Sequence, residues 1–94
     1  MKDLKRGTAI VIENQFELKD KRLVDPISAK ITIVDSAGTA VVTDGDMIKS
    51  SIGVYLYTWQ STSVSVLGYY HVYVEAVSGS YTVQDNWVAF RLED

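Results

Sequence analysis

The chain has 94 residues, 47% of them hydrophobic and 22% charged, with a formal net charge of -3 and no cysteine. That length holds one hydrophobic core and leaves no room for a second, and the apolar content excludes wholesale disorder. Scattered lysines and arginines under an acidic balance exclude a phosphate-binding stripe, and with it nucleic acid, while the missing thiols exclude disulfides and thiolate metal sites.

After Met1 the sequence shows neither the apolar stretch of a signal peptide nor a run long enough to span a bilayer. It therefore predicts cytoplasmic synthesis, no membrane association, and any exit from the cell within an assembly such as a virion. Lys2, Lys5 and Arg6 read as a solvated end, so residues 1–6 are expected to be a flexible or edge-covering lead-in to one domain spanning 1–94.

Thr8 to Leu18 is rich in β-branched residues and is the first predicted strand. Ala9, Val11 and Phe16 fall on one face and Ile10 and Ile12 on the other, the pattern of a strand covered on both sides or of one near a partner. A charged turn at Lys19-Asp20-Lys21-Arg22 and the stop at Val24-Asp25-Pro26 follow, where proline fixes φ. Ala29, Ile31 and Ile33 then alternate with Lys30 and Thr32 in a half-buried strand, and Asp35-Ser36-Ala37-Gly38 turns it into a hairpin with Thr39–Val42. Thr43-Asp44-Gly45-Asp46 reads as the next turn, and Met47-Ile48-Lys49 as at most a short strand.

Two strands with the clearest period of two come next. Gly53 leads into Val54-Tyr55-Leu56-Tyr57-Thr58-Trp59, and Gly68 into Tyr69-Tyr70-His71-Val72-Tyr73-Val74-Glu75-Ala76. Tyr55, Tyr57 and Trp59 are expected to face inward from one sheet, and Tyr70, Val72, Val74 and Ala76 from the other. Tyr70, at the start of its strand, suits a tyrosine corner, with its hydroxyl bonded back to the main chain. The last strand, Tyr81 to Leu92, is expected to point Val88, Phe90 and Leu92 inward and Trp87, Ala89 and Arg91 outward. No apolar period of 3.6 persists, so no helix is predicted. The sum is an all-β fold, a β-sandwich of about seven strands in two antiparallel sheets, with a barrel as the other architecture.

Chemistry is sparse. His71 is the only imidazole and lies on an outward face, without a nucleophile–base pair, so no catalytic residue is assigned and no enzyme is expected. The six glycines make no phosphate loop, and no cofactor is implied. Asp44 and Asp46, with Asp35, form a weak calcium candidate, because turn carboxylates also serve turn formation. The remaining surface is the outward side of the strands, where Leu56, His71, Tyr73 and Trp87 are the candidate interaction residues. The first strand is expected near a sheet edge, which is open to pairing with the same or another chain.

Val24-Asp25-Pro26, Ala29 to Asp35 with Gly38, Met47, Gly53 to Trp59, Gly68-Tyr69-Tyr70 and Phe90-Arg91-Leu92 together resemble a family of immunoglobulin-like, macroglobulin-like sandwich modules. The resemblance runs over nearly the whole chain and rests on core and turn positions, so it is specific for fold and poor for function. Such modules recur as repeats in microbial surface proteins and as standalone structural proteins of bacteriophages and archaeal viruses. A start only a few residues before Gly7 fits the standalone setting better. The resemblance implies a non-catalytic structural module, an accessory component of a virion head or tail or a similar assembly, with protein partners. The alternative it implies is a carbohydrate- or ligand-binding module from a cell-surface array.

Overall fold

The computed structural model describes residues 2–16, 28–78 and 81–94. Over them the chain is all-β, with strands β1 (Lys2–Lys5), β2 (Ala9–Gln15), β3 (Ser28–Val34), β4 (Ala40–Asp46), β5 (Ile48–Ser51), β6 (Val54–Gln60), β7 (Gly68–Ser78) and β8 (Tyr81–Glu93). Eight strands replace the expected seven, because residues 2–5 form one of their own. Leu18, the Lys19–Arg22 turn and the Val24-Asp25-Pro26 stop lie outside the described residues.

The strands form two sheets, one ordered β1-β8-β7-β3-β4 and the other β2-β6-β5. All neighbours are antiparallel except β1 on β8, which runs parallel from Lys2 opposite Phe90 to Lys5 opposite Glu93. The layers bury one core between them. It is made of Ile10, Ile12, Phe16 and Met47 on one side and Ala29, Ile31, Ile33, Tyr70, Val72, Val74, Ala76, Phe90 and Leu92 on the other. Burying each of the larger aliphatic side chains contributes about 1.5–3 kcal/mol.

Aromatic rings carry the contact across the middle. Trp59 of β6 lies 5.3 Å from the Tyr70 ring and 6.1 Å from Phe90, and Tyr70 and Phe90 stack at 4.8 Å. Tyr55 packs edge-on against Phe16 at 5.7 Å. Tyr55, Tyr57 and Trp59 thus face the core as expected, each half-buried and packed against it. The Tyr70 hydroxyl donates to the Val66 carbonyl at 2.7 Å, four residues back, in the manner of a tyrosine corner.

The β3–β4 hairpin follows its turn chemistry. Asp35 Oδ1 accepts from the Ala37 and Thr39 amides, both at 2.9 Å, and Gly38 takes φ +86°. The expected turn at Thr43–Asp46, however, lies inside β4. Register pairs run from Ile31 opposite Gly45 to Ile33 opposite Val42 and Val34 opposite Ala40, so β4 carries two extra residues on its way along β3. These bulges absorb the turn-forming residues, with Asp44 at φ 49° and its amide bonded to Thr32 Oγ1.

Two side-chain assignments are corrected. In β2, Ile10, Ile12 and Phe16 are buried whereas Ala9 and Val11 are exposed, so the strand is covered on one face only. The inward set is the even-numbered one, which carries Phe16 with it. In β8, Tyr70 lies opposite Phe90 but His71 lies opposite Val88, leaving Ala89 as an extra residue. That bulge reverses the alternation. Val88 becomes 43% exposed beside His71, while Trp87, opposite the buried Val72, packs against the core.

Truncating Tyr70 to alanine is expected to cost about 3–5 kcal/mol in chemical denaturation, and Tyr70→Phe about 0.5–1.5 kcal/mol for the lost hydroxyl bond. Burial, and secondarily the nearby Asp35 carboxylate, raise the Tyr70 phenol above its ordinary value of 10.0. The folded state therefore holds this proton more tightly than the unfolded chain. The contribution is complete below the ordinary value and is lost as pH rises through the raised one. Stability of the wild-type protein is expected to fall more steeply than that of Tyr70→Phe as pH is taken above about 10.

Candidate interaction surfaces

The four residues proposed from sequence do not form one site. His71 and Tyr73 lie on the outer face of the five-stranded sheet, Leu56 on the outer face of the three-stranded sheet, and Trp87 on the inward side of β8. Trp87 is therefore withdrawn from the outer surface by the β8 bulge.

On the five-stranded sheet, His71 and Tyr73 follow one another along β7, with ring centroids 4.7 Å apart. His71 Nε2 is 3.0 Å from Asn86 Oδ1 on β8. Tyr73 stands between Thr32 and Asn86. Beside it is a shallow depression of about 230 Å³ whose lining includes Lys30, Thr32, Asp44, Glu75, Gln84 and Asn86. Gln84 Nε2 donates to Glu75 Oε2 at 2.8 Å, and Lys30 is ion-paired with Asp46. The carboxamide next to His71 orients the ring but offers no nucleophile or proton relay. Asp46 of the weak calcium pair is engaged by Lys30, and Asp44 sits in the β4 bulge. Among the described residues no group of three or more carboxylate or imidazole side chains comes together to hold a metal ion.

The outer face of the three-stranded sheet carries exposed apolar side chains beside polar ones. Glu13, Leu56 and Ile48 lie across β2, β6 and β5 in one row, with Val11 opposite Thr58 in the next. Val11 is 60% exposed, Ile48 72% and Ile52 63%. Solvated sheet faces ordinarily alternate to polar residues, and contiguous exposed apolar side chains mark interaction surfaces.

A third feature lies between the layers. A groove of about 420 Å³ runs along β2, lined by Leu4, Thr8, Ile10, Ile12, Trp87 and Ala89 among others. Its end is fixed where the chain crosses from β1 to β2. Buried Ser61 accepts from the Gly7 amide at 3.0 Å and donates to the Thr8 carbonyl at 2.7 Å, while Gln60 Nε2 donates to the Gly7 carbonyl. Arg6 joins the crossing to the other end of the chain through Asp94, with its own amide on the Glu93 carbonyl. Ser61 carried no signal in the sequence, since it follows a strand in a Ser/Thr-rich stretch that reads as loop.

No protein-family model matches the chain, and neither the curated proteins nor the solved structures yield a match.

Ser61→Ala removes the hydroxyl that joins the Gly7 amide to the Thr8 carbonyl, leaves the Ser61 amide on that carbonyl, and is expected to cost about 0.5–1.5 kcal/mol by thermal or chemical denaturation. His71→Ala, on the outer face, is expected to stay within about 0.5 kcal/mol of the wild-type protein.

Proposed function

We propose that this β-sandwich is a non-catalytic interaction module, and that it serves as an accessory component of a virion or comparable assembly. The observation that carries the interaction reading is the outer face of the three-stranded sheet, where exposed Val11 and Ile48 lie beside Leu56. An immunoglobulin-like arrangement is supported by the strand order and by the Tyr70 corner on β7. The assembly setting rests on the sequence resemblance.

Carbohydrate or small-ligand binding is a second reading, favoured by the depression beside Tyr73 with its carboxamides and carboxylate. An exposed tyrosine flanked by hydrogen-bonding groups offers a sugar both a ring face and polar partners.

Replacing Val11 and Ile48 together by lysine is expected to leave the melting temperature nearly unchanged. Self-association or incorporation into the assembly, followed by sedimentation, should weaken by about tenfold or more. An apolar-face variant that associates as well as the wild-type protein overturns the interface, and glycan binding abolished by Tyr73→Ala would establish the second reading in its place.

A further inference from the structure

Among the described residues four strands end the two sheets, and three of them are blunted. β1 is four residues long with Lys5 and an Asp3–Arg91 ion pair at 3.7 Å, β4 is bulged twice and ends in acidic residues, and β5 is four residues with a register shift at Lys49/Ser51. β2 has none of these devices. Its seven residues pair with β6 without a shift, contain no proline, and carry a single charge at Glu13. Exposed edges of that kind are templates for strand addition, and proteins ordinarily protect them.

The direction of the free backbone groups is fixed by the ladder. The Phe16 amide donates to the Gly53 carbonyl at 2.7 Å and the Ser61 amide to the Thr8 carbonyl at 3.3 Å. Antiparallel partners alternate between bonded and non-bonded pairs. Ile10, Ile12, Asn14 and Phe16 therefore bond toward β6, as does the Thr8 carbonyl while the Thr8 amide donates to the Lys5 carbonyl at 3.2 Å, and Ala9, Val11, Glu13 and Gln15 turn their N–H and C=O groups to the open side. Among the described residues no strand other than β6 pairs with β2.

Below that open side the five-stranded layer continues past β2. Trp87 and Ala89 of β8 and Leu4 of β1 face it half-buried, as the floor of the groove. We propose that β2 and this floor form a strand-acceptor slot for an extended segment of another protein, apolar at alternate positions and basic where it passes Glu13. The added strand hydrogen-bonds to Ala9, Val11 and Glu13 and lays its apolar side chains over Leu4, Trp87 and Ala89.

Charge selects that occupant. A second copy pairing β2 to β2 would bring its own Glu13 and a formal net charge of -3 to the same edge. Among the described residues Glu13 is the only ionisable one lining the groove, and a basic residue in the added segment complements it. The slot deepens the interaction-module reading by naming the form of the partner and rests on it, but it uses an edge, not the apolar outer face.

The test uses the ¹⁵N-labelled full chain and a synthetic peptide of the length of β2 that alternates valine with threonine and lysine. Binding is expected to slow hydrogen exchange at the Val11 and Glu13 amides by about tenfold or more, to leave Ile10 and Ile12 unchanged, and to shift the Trp87 indole resonance. Val11→Pro removes an edge-facing amide without breaking a bond to β6, so that variant should fold and lose the effect. Unchanged exchange at Val11 and Glu13 under saturating peptide, or equal slowing in folded Val11→Pro, overturns the slot. Shifts confined to Ile48, Ile52 and Leu56 also overturn it, while leaving the apolar-face interface standing. A dimer of the unliganded chain broken by Val11→Pro would replace the foreign strand by a second copy.

Discussion

The stack of Trp59, Tyr70 and Phe90 joins three strands of two different sheets, and the rest of the molecule is arranged around it. Tyr70 is the centre because both of its ends are used: the ring lies against Trp59 and Phe90, and the hydroxyl ties the Val66 main chain to the start of β7. A purely aliphatic core at the same place would bury comparable area without fixing the connection between β6 and β7. The polar tip converts a packing contact into a constraint on chain path. Asp35 does the corresponding work at the neighbouring hairpin, where one carboxylate oxygen receives two amides. Both groups are buried, and both are satisfied by main chain, so these bonds hold the ends of the strands in a chain that has no cysteine for a disulfide.

The unequal width of the layers follows from how the first residues are used. By pairing in parallel with β8, β1 extends the larger sheet, and the crossing at residues 6–8 then carries the chain over to begin the smaller one. Ser61 makes that crossing possible by satisfying the Gly7 amide and the Thr8 carbonyl from a buried position. The consequence is a five-stranded floor under a three-stranded roof. Half-buried Trp87, Ala89 and Leu4 are where the roof stops short, and the apolar outer face of the roof is a second departure from a fully solvated exterior.

Much of the fold was legible because its strongest signals are local. The period of two in 29–34, 54–59 and 69–76, Gly53 before β6, Gly68 at the start of β7, and the Asp35–Gly38 turn each specify backbone direction and the inward face without reference to anything distant. The failures in β8 and β4 share one cause. A bulge is a single-residue event that leaves the composition of a strand intact but reverses every assignment beyond it. Ala89 carried Trp87 inward and Val88 outward in this way, and the β4 bulges hid a strand behind residues that look like a turn. In β2 the mistake was different: isoleucine, valine and alanine on both faces read as double burial, when only the isoleucines are covered. The candidate surface was legible in part, since His71, Tyr73 and Leu56 do face outward, but on opposite layers.

Exposed Val11 then acquires a meaning that burial denied it. A β-branched side chain on an unblunted edge favours the extended backbone that strand addition requires, and on the outer face it lies in the row next to Leu56 and Ile48. Protection on the remaining edges shows what the sequence does where pairing is to be prevented: it shortens β1 and β5, bulges β4, and sets charge beside each. Leaving β2 regular, nearly uncharged and above an apolar floor is costly in aggregation risk unless another strand covers it. The contrast between edges, more than any single residue, is what makes the open side of β2 the place to look for a partner.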